Sequence, residues 1–137
     1  MHDVIEVATH GRGFYDLTSA VESAISSEAD GVMTLFVRHT SCSLLIQENY
    51  DPDVKTDLAA FFERLVPDAD DPRQSWMRHR LEGPDDMPAH IKAAILPVSL
   101  TVPVTGGRLL LGTWQGIFLV EHRVAPHQRQ VAIHLPD

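Results

Sequence analysis

The chain has 137 residues, of which 44% are hydrophobic and 22% are charged, and its formal net charge at pH 7 is −8. This length predicts one domain over residues 1–137 with a full hydrophobic core, and the composition excludes a disordered chain. The acidic balance and the scattered eleven Lys and Arg residues argue against a nucleic-acid partner, because phosphate contacts need a basic stripe.

The single cysteine and the N-terminus indicate the compartment. Cys42 is the only cysteine, so no disulfide forms within the chain, and we expect a reducing environment. Residues 1–7 lack the positively charged start and the apolar segment of a secretory signal peptide. No apolar run in the chain is long enough to span a bilayer. These features predict a cytoplasmic protein without a membrane partner.

Alternating hydrophobic residues predict strands along the whole chain. In the first half they predict strands over residues 2–8, 32–39 and 43–48. The last third predicts four more strands, over residues 98–104, 109–112, 113–121 and 129–135. Gly106 and Gly107 predict a hairpin turn between the first two of these.

Helical spacing of apolar residues predicts three helices. The first covers residues 17–29, the second runs from Asp51 to its end at Pro67, and the third covers residues 88–96. Asp85 or Asp86 is expected to cap the third helix. Strands in runs with interspersed helices, rather than in strict alternation with them, predict an α+β domain with antiparallel sheets.

The segment of residues 79–92 contains two histidines and three carboxylates. Its helix start places His90 and Lys92 in the first turns, where the macrodipole favours anions. His79 and His90 are candidate ligands of a divalent metal, with His39 or a carboxylate as a third ligand. The spacing is not that of a zinc-binding helix, so hydrogen-bonded structural histidines in a polar loop are the alternative.

Residues 39–43 form a connector rich in hydroxyl groups between two predicted strands. Thr40 and Ser41 are candidates for binding a small ligand, and a tight turn whose hydroxyl groups bond their own backbone is the alternative. A Ser or Cys nucleophile beside His39 is a weaker hypothesis, because adjacent residues rarely meet in useful geometry.

The C-terminal strands carry a second set of polar candidates. Alternation places Thr113 and Gln115 at the start of an otherwise apolar row, where they can bind a ligand. Glu121 with Arg123 or Arg129 predicts an ion pair across the last hairpin. An arginine that faces a cavity instead would suit a phosphate group, and Arg123 is the candidate.

Taken together, residues 39–49, 83–92 and 99–123 resemble the YjbQ family, and the likeness covers nearly the whole chain. The resemblance implies a small α+β protein of sandwich-like antiparallel sheets with two to three helices, assembled as a homotrimer. Members are often described as secondary thiamine-phosphate synthases. Arg80 and Gln47 depart from the family pattern beside the expected site, so the substrate does not transfer with the resemblance.

The resemblance also implies the site. The expected catalytic residues are His39, Glu48, His79, Asp86, His90 and Lys92. Thr113 and Gln115 join the suspected pocket and, with Thr40, Ser41 and Arg123, are the expected substrate-binding residues. A divalent metal, zinc or magnesium, is expected at His39, His79 and His90.

The implied reaction joins a hydroxymethylpyrimidine diphosphate to a thiazole phosphate and releases pyrophosphate. Lys92, the helix start near Pro88 and a divalent ion on Glu48 or Asp86 are expected to stabilise the leaving group. The main alternative is a trimeric protein that binds a metal or a small phosphorylated metabolite without dedicated catalysis. A third hypothesis is a metal-assisted hydrolase that uses Glu48 as its base.

Overall fold

The computed structural model describes residues 1–137. Its strands are β1 (His2–Thr9), β2 (Gly13–Asp16), β3 (Gly31–Val37), β4 (Cys42–Glu48), β5 (Ser99–Thr105), β6 (Arg108–Leu109), β7 (Gln115–Glu121) and β8 (His127–His134). The helices are α1 (Thr18–Ala24), α2 (Pro52–Leu65) and α3 (Asp86–Ile95), and a short 3-10 helix spans Pro72–Gln74. None of the helices has the length and apolar content needed to cross a membrane.

The strands form two antiparallel sheets. The larger sheet has the order β1-β8-β3-β5-β6, and the smaller sheet has the order β2-β7-β4. One cluster of 15 buried hydrophobic residues joins both sheets and α1, including Leu35 and Ile133 from the larger sheet and Leu44 and Leu119 from the smaller one. The predicted α+β class with antiparallel sheets is therefore confirmed.

The first helix is shorter than predicted. The apolar spacing predicted residues 17–29, whereas α1 ends at Ala24. The turn between β5 and β6 explains the difference, because the Gly107 N–H donates to the Ala29 carbonyl at 2.9 Å. A Cβ on Gly107 would lie 2.5 Å from the Ser26 carbonyl oxygen, so this turn packs directly on the chain where the helix would continue.

The strands near the C-terminus also differ from the prediction. Strand β7 begins at Gln115 rather than 113, because Gly112 and Gln115 close a turn: the Gln115 N–H donates to the Gly112 carbonyl at 3.1 Å. Strand β6 is only two residues long, against the predicted 109–112. The sequence analysis also missed β2, a four-residue strand that pairs with β7.

The second and third helices begin differently. Asp51 caps α2, since its carboxylate accepts a hydrogen bond from the Asp53 N–H at 2.9 Å. Asp85 occupies the N-cap position of α3, but neither its side chain nor that of Asp86 makes a capping hydrogen bond. The expectation of a side-chain cap on α3 is wrong, because both carboxylates bind Arg123 instead.

A buried ion pair links the two sheets. Glu121, at the end of β7, accepts hydrogen bonds from Arg129 of β8 at 2.5 and 2.8 Å, so the predicted ion pair is present. The predicted hairpin is wrong, because β7 and β8 lie in different sheets. Thr9 Oγ1 donates to the same carboxylate at 2.6 Å, and Arg129 also donates to Ser41 Oγ at 2.9 Å. Burial raises the pKa of Glu121, but the Arg129 and Thr9 hydrogen bonds outweigh burial and lower it.

We expect Arg129→Met to lower the free energy of unfolding by about 3–5 kcal/mol, because it leaves the Glu121 charge buried without a partner. Urea unfolding at pH 7 measures the change. The double variant Glu121→Gln/Arg129→Met should recover at least half of the loss, since both charges are then gone.

Arg38→Met is the matched control, because the Arg38 side chain makes a single exposed hydrogen bond, to Gln130. Its effect should stay within about 0.5 kcal/mol. Equal losses in Arg129→Met and Arg38→Met would contradict the assigned role of the buried pair.

Candidate functional site

Four side chains that can bind a metal ion meet at the N-terminal end of α3. They are His79 and Glu82 from the preceding loop and Asp86 and His90 from the helix, and their ligand atoms all lie within 4.8 Å of one another. Asp86 Oδ2 is the centre of this cluster, 2.6 Å from His79 Nε2 and 3.1 Å from His90 Nε2. The i, i+4 spacing of Asp86 and His90 places both on one face of the helix.

The contacts of His90 indicate which nitrogen is free for a cation. His90 Nδ1 lies 2.9 Å from the Thr40 carbonyl oxygen, and because a carbonyl only accepts, Nδ1 donates the proton. His90 Nε2 then faces Asp86 Oδ2. A bare ring nitrogen and a carboxylate oxygen both present lone pairs, so this contact requires a cation between them, either a proton or a metal ion.

The Asp86 carboxylate is held from behind by Arg123. Arg123 NH1 lies 2.7 Å from Asp86 Oδ1, and its Nε lies 2.8 Å from Asp85 Oδ2. Burial raises the pKa of Asp86, but the hydrogen bond with His79 and the charge of Arg123 outweigh burial and lower it. Arg123, predicted to bind a phosphate, is thus engaged with two carboxylates of its own chain.

The cluster is open to solvent on its histidine side. The Asp86 side chain is 3% exposed, whereas His79 is 43% and His90 is 31% exposed. The hydrogen bond to Asp86 raises the pKa of His79. The arrangement therefore offers a cation a buried carboxylate on one side and space for a further ligand on the other.

His39 lies beside this cluster without joining it. It lines a shallow cleft with Thr40, His90 and Val98 on the surface next to α3. Its Nε2 accepts a hydrogen bond from the Gln130 N–H at 2.7 Å, and burial, followed by the charge of Arg129, lowers its pKa. His39 is thus neutral and protonated on Nδ1, and Nε2, one of its two possible metal-binding nitrogens, is engaged with the larger sheet.

Lys92 points away from the histidines. Two residues along a helix are about 200° apart in rotation, so Lys92 lies on the opposite side of α3 from His90. The side chain lines a cavity of about 110 Å³ together with Arg12, Phe62 and His122. Burial is the largest influence on Lys92, and it lowers its pKa.

Three other predicted residues lie at the far end of the smaller sheet. Glu48 pairs with Gln115 where β4 ends and β7 begins, six residues from the Cys42 end that adjoins the cluster. This separation is about 20 Å along the strand. Thr113 is exposed near this end, and the Gln115 side chain is engaged in closing a turn by accepting from the Gly112 N–H at 2.8 Å.

The hydroxyl-rich connector has a structural role within the chain. Ser41 is buried and binds Arg129, while Thr40 is exposed and contributes its carbonyl to His90. Ser43 Oγ lies 2.9 Å from His122 Nε2 inside the protein. Burial raises the pKa of Cys42 to about 12, so neither Ser43 nor Cys42 is presented as a nucleophile beside His39.

The sequence analysis missed three residues that border these clusters. Glu82 lies in the same loop as His79, 3.3 Å from His79 Nε2, and could have been found as one of the three carboxylates in the segment of residues 79–92. Arg12 and His122 come to the Lys92 cavity from distant parts of the chain. No local pattern marks them, because only the pairing of β2 with β7 brings them together.

Two antiparallel sheets and an open cluster of histidines and carboxylates on the third helix define an α+β protein with a candidate metal centre. The family model of UPF0047 proteins of the YjbQ-like type matches residues 3–137, and the chain belongs to this YjbQ family. The predicted family membership is confirmed.

The chain is 50% identical over 135 residues to the UPF0047 protein sll1880 of Synechocystis sp., covering 97% of this chain and 89% of that protein. It is 42% identical over 130 residues to the UPF0047 protein YjbQ of Salmonella typhimurium, covering 93% and 91%. Among solved structures, protein TT1486 of Thermus thermophilus superposes with a TM-score of 0.86 at 36% identity, covering 98% of this chain and 99% of that one.

Proposed function

We propose that the protein binds a divalent metal ion, zinc, through His79, Asp86 and His90, with Glu82 as a fourth ligand. The observation that carries this proposal is the contact between His90 Nε2 and Asp86 Oδ2 at 3.1 Å, while Nδ1 donates to the Thr40 carbonyl. Imidazole nitrogens and a carboxylate oxygen are ligands that zinc prefers, so the residues present fit the ion.

The surrounding contacts support a preorganised cation site, in which the ligand side chains are oriented before the cation binds. The Thr40 carbonyl fixes the tautomer and the ring orientation of His90, and Arg123 fixes Asp86, as outer partners of metal ligands commonly do. Glu82 lies 3.3 Å from His79 Nε2 on the exposed side, where it can move. The bound ion would act as a Lewis acid and neutralise negative charge on the oxygen atoms of an anionic ligand.

We further propose that the ligand is a small phosphorylated metabolite. Its phosphate would approach over the exposed edges of His79 and His90, next to the cleft of His39 and Val98. Arg123 is already paired with two carboxylates, so the metal is the available positive charge at this position. This binding role is the function that the geometry supports best.

Thiamine-phosphate synthase chemistry is the second candidate. The open side of the same cluster favours it, because a diphosphate leaving group needs positive charge aimed at its oxygen atoms. The hydrolase hypothesis has less support, since Glu48, its expected base, lies at the other end of β4. Within one chain the synthase residues Lys92 and Gln115 also lie away from the cluster.

Zinc should bind the wild-type protein at one ion per chain, as measured by titration calorimetry and by elemental analysis after dialysis. His90→Ala should weaken binding beyond the 10–100-fold typical of changes to outer partners, and Arg123→Gln should weaken it by about that 10–100-fold amount. His10→Ala removes an exposed histidine between β1 and β2, outside the cluster, and should leave affinity unchanged. Equal affinity in the wild type and His90→Ala would refute the site.

The synthase candidate predicts turnover of the two thiamine precursors by the metal-loaded protein. His90→Ala should reduce turnover by about a hundredfold or more, because it removes a metal ligand. Lys92→Ala tests the second cation that the resemblance implies, and His10→Ala is again the control. If turnover is undetectable in the wild type while zinc binds, the synthase assignment fails and the binding role survives.

We propose a homotrimer that is assembled through the outer face of the larger sheet. That face carries no helix and leaves Val4, Val32 and Phe36 exposed by 42%, 53% and 48%. We expect light scattering to give three times the 15.2 kDa mass of one chain, and Phe36→Lys to give the monomer. Phe61→Lys on α2 changes an equally exposed aromatic residue outside this face, and a monomer produced only by that variant would contradict the assignment.

A further inference from the structure

A cavity of about 110 Å³ lies on the side of α3 opposite the candidate metal ligands. Its walls come from the start of β2, from α2, from α3 and from the end of β7. The apolar part of the wall is formed by Phe14, Ala59 and Phe62, and the polar part includes Lys92 and His122. The proposed metal function makes no use of this cavity.

The Lys92 ammonium is the unusual feature of the wall. Only 4% of Lys92 is exposed, yet no oxygen atom of the chain accepts a hydrogen bond from it or pairs with it. Every fully buried side-chain nitrogen or oxygen has a partner, so the Lys92 Nζ atom is reached from the cavity rather than sealed in the core. An ammonium withdrawn from water without a partner is strongly unfavourable, so an anion in the cavity would complete the site.

The other charges at the cavity are already compensated. Arg12 pairs with Asp68 and lies 3.6 Å from Glu63. The Glu121 carboxylate pairs with Arg129 on the far side of the wall. Burial lowers the pKa of His122 to about 3, which leaves its ring uncharged at neutral pH. Lys92 is therefore the one cation at the cavity that has no hydrogen-bonded carboxylate partner.

We propose that this cavity binds a small organic monocarboxylate whose carboxylate group pairs with Lys92. A single free cation matches a monoanion, whereas a phosphate dianion would bring a second charge that no free cation balances. The apolar wall of Phe14, Ala59 and Phe62 suits a short hydrocarbon tail. A cavity of about 110 Å³ has room for a few small groups, so short carboxylates from acetate to butyrate are suitable probes.

The chain allows a direct test, because Lys55 and Lys92 are its only two lysines. In Lys55→Arg protein labelled with [13Cε]lysine, a single resonance reports on Lys92. Butyrate should shift this resonance saturably, with a half-maximal effect at or below about 10 mM. Sodium chloride and phosphate at equal ionic strength should produce no saturable shift. A saturable shift with phosphate but not butyrate would overturn the proposal, and so would an equal, non-saturating drift with all three salts.

Ala59→Leu provides a second test that keeps Lys92 in place. The added side chain fills the cavity from α2 and should raise the half-saturating butyrate concentration at least about tenfold. Ala60→Leu, one position further along the exposed helix and outside this cavity, should leave it unchanged. Unchanged butyrate binding in Ala59→Leu would place the ligand elsewhere and refute the site. Zinc titration of the same variants separates this outcome from a failure of the metal proposal.

Discussion

The pairing of Glu121 with Arg129 is the constraint on which the arrangement of the two sheets depends. Glu121 ends a strand of the smaller sheet, and Arg129 lies in a strand of the larger sheet, so their hydrogen bonds at 2.5 and 2.8 Å join the layers directly. Thr9 and Ser41 bring two more chain segments to the same pair. Because a buried charge is tolerated only when it is fully paired, the four segments can pack together in few other ways.

The positions of the candidate metal ligands depend on the Glu121–Arg129 pair. Glu121 Oε2 also accepts a hydrogen bond from the Arg123 N–H at 3.2 Å, which fixes the backbone where β7 ends. Arg123 then reaches Asp85 and Asp86 and holds the first turn of α3. Asp86 can be both buried and ionised because Arg123 and His79 compensate its charge. The buried contacts therefore fix the position of Asp86, and the exposed histidines are arranged around this fixed carboxylate.

Local chemistry in the sequence predicted the fold better than it predicted the site. The second helix was found because Asp51 and Pro52 make its start unmistakable, and the third was found from the apolar run before Pro97. The first helix was predicted too long because a distant hairpin, through Gly107, decides where it ends. The short strand β2 carries no pattern of its own and forms only because β7 offers it a partner.

The segment of residues 79–92 shows why proximity in sequence is a poor guide to a shared site. His90 and Lys92 are two residues apart, yet helix geometry directs them to opposite sides of α3. His90 contacts the Asp86 carboxylate in the proposed metal site. Lys92 is a cation without a direct partner in the cavity on the other side. Asp85 and Asp86, adjacent at the start of the helix, act electrostatically on Lys92 and on the histidines respectively. The acidic pair anchored by Arg123 therefore acts on side chains on both sides of α3.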